Sequence, residues 1–149
     1  MGLDQYAGVM EEKKSEHFKN EDGSYDTWQQ AGPFEWRKHA RLQEFMTRLF
    51  MVKNSKSAKD RWQTSKFGNE EVIIPIQFND MELDDVDIKL LEEAIENGYK
   101  DFHCEGGFFW GHQFQEEAVK DYAEKDREFV KFAKEELAKG NKIFYECSW

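Results

Sequence analysis

Long apolar runs, cysteine and proline are all scarce in this chain of 149 residues, and its 21 Lys and Arg are outnumbered by 31 Asp and Glu. A formal charge of −10 argues against a general nucleic-acid binder, which needs a surplus of Lys and Arg to meet phosphates. No stretch approaches the roughly 18 apolar residues of a membrane helix, so no membrane association is expected. Two cysteines, Cys104 and Cys147, form at most one bridge. The opening Met-Gly-Leu-Asp has no basic region followed by an apolar one, which predicts a cytoplasmic protein with reduced thiols. Gly2 makes no myristoylation signal, because Tyr6 stands where Ser or Thr is required.

Aromatic residues are abundant instead. Thirteen Phe, five Trp and five Tyr supply a core, and a globule of this length is one domain that buries roughly 68–70% of its unfolded surface. Charge is unevenly placed. Between Glu35 and Lys66 nine basic residues face three acidic ones, whereas between Asp80 and Asp101 nine acids face only Lys89 and Lys100. Two such segments on one small domain either face each other or form two solvated faces.

Periodicity predicts the elements. Leu42, Phe45, Met46, Leu49 and Phe50 recur at helical spacing, and Trp36 and His39 extend that stripe one turn back, which predicts a helix over 35–52. Asp84 or Asp85 caps a second helix over 84–97, ended by Asn97-Gly98. A third runs over 115–139 on Val119, Tyr122, Phe129, Val130, Ala133 and Leu137, and Asp126 interrupts its apolar stripe. Strands are expected at 2–9, 71–78, 106–111 and 142–148, with Pro75 confining its strand to an edge. The polar segment 11–30 reads as a loop despite Asp22-Gly23, which is hairpin-turn chemistry. The segment 53–70 reads as an exposed basic loop. The fold class is therefore α+β: a small mixed or antiparallel sheet with three helices packed mainly on one face.

Met1-Gly2-Leu3-Asp4 with Tyr6, Trp36-Arg37-Lys38, Gly107-Phe108-Phe109-Trp110-Gly111, and Tyr145 with Ser148-Trp149 stand in one order. In these motifs the chain resembles a family of small phage and prophage proteins that begin M-G-L-D-x-Y, over most of its length outside 53–70. The label phosphoglycerate kinase often attached to that family finds no counterpart here. No glycine-rich phosphate loop leads from a strand into a helix, and Gly106-Gly107 runs into aromatics. The resemblance implies a phage-type origin, with the host cytoplasm as its location, and carries no activity.

The residues offer few reaction centres. There is no G-x-S-x-G, and Ser148 is poorly placed to be an oriented nucleophile. His103, Cys104, His112 and Glu116 are metal-ligand types at a spacing that matches no zinc pattern, so no metal and no cofactor is expected. Asp4 near Arg37 or His39 makes either a general-base pair or a structural ion pair, and the structural pair is the commoner outcome. Asp4, Tyr6, Trp36, Arg37, Lys38, His39, Trp110 and Trp149 are the candidates for a shared ligand pocket. The function expected is non-catalytic: a phage-type accessory protein acting on a protein partner. The alternatives are a small-molecule or phosphate-binding protein, or a minor enzyme, using Asp4, Arg37, Lys38 and His39, and weak nucleic-acid contact through 37–66. A homodimer through a sheet edge or the aromatic surface is left open.

Overall fold

The computed structural model describes residues 3–10, 15–19, 21–23, 25–29, 33–76, 78, 81–103 and 114–148. Its first strand, β1 (Asp4–Val9), turns Leu3, Gln5, Ala7 and Val9 to the interior, while Asp4 and Tyr6 stay partly exposed. Two short hairpin strands follow, β2 (Ser15–Lys19) and β3 (Tyr25–Gln29), paired antiparallel around the turn at Asp22-Gly23. Within the loop expected over 11–30, residues 15–19 and 25–29 therefore pair as a hairpin. Gly23 supplies the positive φ of its turn, and backbone pairing needed no strong apolar alternation in the flanks.

A second correction concerns the first helix. Residues 34–37 form β4 (Phe34–Arg37), antiparallel to β1 with Asp4 opposite Arg37 and Gln5 opposite Trp36. The helix, α1 (Ala40–Lys53), begins only after Lys38 turns the chain with φ +57°. Trp36 fits a helical spacing with His39 and a period of two with Phe34, and the partner strand decides between them.

After α1, a short 3-10 turn at Ala58–Arg61 leads into β5 (Trp62–Phe67), which pairs with β6 (Glu70–Pro75) across Gly68-Asn69. The segment expected as an open loop thus carries one strand of a ribbon. The strand expected in the main sheet at 71–78 supplies the other, and Pro75 ends it. Residues 106–111, expected as a further strand, lie outside the described residues.

The main sheet is completed by β7 (Met81–Leu83) and β8 (Ile143–Ser148) in the order β4-β1-β8-β7, all antiparallel. With β1 and β7 on its two sides, β8 is a central strand, and Ile143 to Cys147 are buried without a break. Its inner residues Ile143, Tyr145 and Cys147 join Leu3, Ala7 and Trp36 in one core with the helices.

The second helix, α2 (Asp85–Glu96), buries Ile88, Leu91, Ala94 and Ile95, and its start is built by a reciprocal cap. Asp84 accepts from the Asp87 N–H at 2.9 Å, and Asp87 accepts from the Asp84 N–H at 3.0 Å. That first bond holds the Asp84 carboxyl below the usual aspartate range. Replacing it, Asp84→Ala, is expected to cost about 1 kcal/mol, a fall in Tm of roughly 2–4 °C. A depressed carboxyl stabilises the fold above its unfolded pKa of about 3.9 and loses that contribution as pH falls through the lower folded value. The gap in Tm between parent and variant should therefore be widest near neutrality and narrow below about pH 4. Melting curves at pH 7 and pH 3 check both points.

The third expected helix divides into α3 (Gln115–Asp121) and α4 (Ala123–Ala138) at Tyr122, whose φ of −101° and ψ of 3° leave the helical region. The hydrogen-bond ladder continues through the bend, from Tyr122 N–H to Ala118 and from Asp126 N–H to Tyr122. What holds the bend is the phenol, which exchanges hydrogen bonds with the Arg37 N–H and C=O at 3.1 and 3.0 Å. The fold class is mixed α+β, with the sheet's inner face against the helices.

Candidate functional site

The sheet divides the six predicted pocket residues that are described rather than gathering them. Asp4 and Arg37 are cross-strand neighbours on the outer face, 3.9 Å apart, with Arg37 largely and Asp4 partly exposed, an ion pair of small energetic value. Tyr6 lies beside them, and its phenol is raised by partial burial and by the charges of Asp4, Glu35 and Glu146. Lys38 is exposed at the corner. Trp36 and His39 point the other way, into the core, at 1% and 0% exposure. Trp110 and Trp149 lie outside the described residues.

On the inner side, Trp36 and His39 meet a residue that was legible only as an oddity, the Asp126 that interrupts the apolar stripe of α4. Its carboxyl oxygens contact Trp36 Nε1, His39 Nε2 and the Tyr99 hydroxyl, each at 2.8 Å. An ionised Asp126 accepts from all three, which places a proton on His39 Nε2. Tyr99 is a firm donor because burial, followed by the Asp126 charge, raises its phenol well above the ordinary value. The Tyr122 ring stacks on His39 at 5.2 Å. His39 Nδ1 is buried and has no hydrogen-bond partner among the described residues, so none of them offers it a hydroxyl or thiol to activate. The arrangement locks side chains of β4, the residue before α1 and the turn after α2 onto one carboxyl group of α4.

A second buried network joins the sheet to α1. The Gln5 side chain accepts from the His39 N–H at 2.9 Å and donates to the His39 C=O at 3.1 Å, as a facing peptide group would. It also donates to the Tyr145 hydroxyl, which donates to Gln43 Oε1. Gln43 reaches Thr47 and the Cys147 sulfur at 3.3 Å. Burial pushes the Cys147 thiol up to about 11, which makes it a packing group and a poor nucleophile at neutral pH.

Of the predicted metal-ligand types, His103 is exposed, and Glu116 is 85% exposed at 3.9 Å from Arg41. Cys104 and His112 lie outside the described residues. Among the described residues no group of three or more His, Cys, Asp or Glu side chains is placed to hold a metal ion. No helix among them is long and apolar enough to cross a membrane.

The basic segment is largely engaged with its own protein. Arg48 and Arg61 both pair with Glu44, which is buried at 2% exposure. Lys53 pairs with Asp87, and Arg48 donates to the Asp101 C=O at 2.8 Å, so the basic and acidic segments face each other. Arg41 bonds Gln115 and the Tyr99 C=O. These contacts occupy Arg41, Arg48, Lys53 and Arg61, while Lys38 and Lys56 stay exposed.

Two concave surfaces flank α2: one of about 350 Å³ against α4, rimmed by Glu92, Glu96, Arg127, Lys131 and Lys134, and a more apolar groove of about 330 Å³ between α1 and α2. From α1 it takes Phe45, Leu49 and Val52, and from α2 Leu90, Ala94 and Asn97, each set on one side of its helix. The chain leaving α2 closes the end with Tyr99 and Phe102. There Phe102 packs edge-on to Phe45 at 5.2 Å, and the Arg48 guanidinium lies 4.9 Å from its centroid. Tyr99 adopts φ +54°, an unusual conformation for an aromatic residue, held by the Arg41 bond to its carbonyl and by the Asp126 bond to its hydroxyl. Val52 is 78% and Leu90 45% exposed at the groove's edges. Sequence reading assigned both helices but not this surface. The available signal was that Val52 and Leu90 fall beside, not within, the apolar stripes of their helices.

No protein-family model, curated protein or solved structure matches the chain.

Proposed function

We propose that the chain is a phage-type accessory protein that works by binding another protein, and that it docks this partner in the groove between α1 and α2. One observation carries the reading: Val52 and Leu90 leave apolar surface in water on facing helices, over an aromatic floor at Phe45 and Phe102. Scattered exposed apolar residues are ordinary, but a concave cluster of them is the usual form of a docking surface. The motifs shared with M-G-L-D-x-Y phage proteins support the phage-type origin. Support for a binding role over catalysis comes from the polar clusters, since Asp126 and Gln5 both hold elements together inside the fold.

A photoreactive residue placed at exposed Asn97, beside the groove, tests this in a lysate of cells that carry the gene. Exposed Glu128 on α4 serves as the remote control position. A discrete adduct is expected from position 97 and not from 128, and it should vanish when Val52→Asp and Leu90→Asp are introduced together. Both changes are at exposed positions, so the Tm should move by only a few degrees. Equal adducts from both positions, or an adduct indifferent to the double change, would remove the groove from the account.

A further inference from the structure

We infer that Tyr122 and Lys125 form a side-chain strap that closes the β4 edge of the main sheet, and that releasing it lets two copies of the chain join edge to edge through β4. This edge shares no residue with the lining of the α1/α2 groove, so the inference stands apart from the docking proposal.

The hydrogen-bond phase of β4 sets which of its backbone groups face outward. Asp4 stands opposite Arg37, and the Lys38 N–H donates to the Leu3 C=O at 2.8 Å. Bonded and non-bonded positions alternate in an antiparallel pair, so Trp36 turns its backbone groups toward β1 while Glu35 and Arg37 turn theirs away. Because β4 ends the strand order, no further strand meets these groups among the described residues. Side chains meet them instead. The Tyr122 hydroxyl accepts from the Arg37 N–H at 3.1 Å and donates to the Arg37 C=O at 3.0 Å, and Lys125 Nζ donates to the Glu35 C=O at 2.9 Å. Lys125 Nζ also lies 5.5 Å from the centroid of the Tyr122 ring, a cation–π contact that ties the two parts of the strap together.

Without the strap, the edge fits a second copy. Antiparallel pairing centred on Trp36 sets Glu35 of each copy opposite Arg37 of the other. Both positions turn their backbone outward, so each pair exchanges both main-chain hydrogen bonds. Each pair also sets opposite charges across the strands, since Glu35 and Arg37 share the exposed face of the sheet. The far edge, β7, needs no such cover. The Met10 N–H bonds the Lys142 C=O, which fixes the phase of β8 and leaves Glu82 as the residue of β7 whose backbone turns outward. Self-pairing there sets Glu82 against Glu82, and like charges oppose it.

Hydrogen exchange and sedimentation of the whole chain test the inference. Tyr122→Phe with Lys125→Met keeps the ring and the long side chain but removes the bonds. Exchange at the Arg37 amide should accelerate at least about tenfold, while the Trp36 amide, bonded within the sheet, keeps its rate. Tyr122→Ala with Lys125→Ala also clears space beside the edge. In about 0.15 M salt, which screens the repulsion between two copies at −10 each, this variant should form a larger, concentration-dependent species than the parent. Adding Glu35→Pro removes an outward donor, leaves the ladder to β1 intact and should return the variant to the parent's size.

An Arg37 amide that exchanges as in the parent overturns the inference. So does an opened variant no larger than the parent, or association that survives Glu35→Pro. Near-ultraviolet circular dichroism of the buried Trp36 separates edge pairing from aggregation of an unfolded chain. Should the alanine variant lose that signal, exchange and sedimentation of Tyr122→Phe with Lys125→Met decide the matter by the same criteria.

Discussion

Replacing Asp126 by Ala is expected to lower stability by about 4 kcal/mol. For a domain of this size that is a fall in Tm of roughly 8–16 °C. The cause is the number of donors that converge on one carboxyl group. Trp36 Nε1, His39 Nε2 and the Tyr99 hydroxyl are all buried, and each loses its partner at once. An unsatisfied buried donor costs about 1–3 kcal/mol, and relaxation of the site offsets part of that sum. Asp126→Asn should cost clearly less. Its carbonyl still accepts from Trp36, and its amide can donate to His39 Nε2 once the histidine proton moves to Nδ1. Urea melts of the two variants give the comparison, with near-ultraviolet circular dichroism reporting the Trp36 environment. An Asp126→Ala protein within about 1 kcal/mol of the parent would show that the three donors find other acceptors, and the carboxyl would lose its organising role.

Gln5→Met is expected to cost about 2–4 kcal/mol with little change in side-chain volume. The loss comes from the corner between β4 and α1, where the Gln5 amide serves both backbone groups of His39. Methionine fills the space and offers neither a donor nor an acceptor for them. The His39 C=O keeps the Gln43 N–H at 3.0 Å, so the orphaned group is the His39 N–H. Hydrogen exchange at the His39 amide should therefore accelerate more than exchange in the middle of α1, for instance at Phe45. Uniform acceleration along the helix, or none at His39, would contradict the assignment. Tyr145→Phe breaks the next link and should couple to Gln5→Met in a double-mutant cycle, because the Tyr145 hydroxyl bonds both Gln5 and Gln43.

Local chemistry made several elements readable in advance. The Asp84 cap, the Asn97-Gly98 stop and the Ile88-Leu91-Ile95 stripe identify α2 within a residue or two. The alternation over 142–148 and the short opening segment identify β8 and β1 for the same reason, since the period of apolar residues reports which face is covered. The errors fall where one pattern serves two periods or where pairing decides. Trp36 fits a helix stripe through His39 or a strand through Phe34, and only β1 alongside makes 34–37 into β4. Segment 71–78 has strand chemistry, yet no residue in it states that its partner is 62–67 rather than the main sheet. Tyr122 fits the stripe of a continuous helix until Arg37, far away in sequence, claims its hydroxyl.

The candidate site follows the same division. His39, Trp36 and Asp126 were each visible as polar or amphipathic residues on apolar stripes, but their convergence joins positions about ninety apart in sequence. Asp4 and Arg37 were anticipated as a pair and are one, on the outer face of the sheet and away from His39. The groove was not visible, because its character depends on which parts of two helices remain uncovered once both are packed.

By itself the sequence determined the α+β class, most of α2, β1 and β8, and the acidic balance of the molecule, since these depend on neighbours within a turn or a strand and on simple composition. Tertiary structure alone decided that 34–37 is a strand and that Asp126 gathers three buried donors. It also decided that Lys53 of the basic segment pairs with Asp87 of the acidic one and that Val52 and Leu90 border a common groove. The physical reason is that hydrogen bonds and ion pairs between distant residues, and the surface left open beside a packed helix, have no period along the chain.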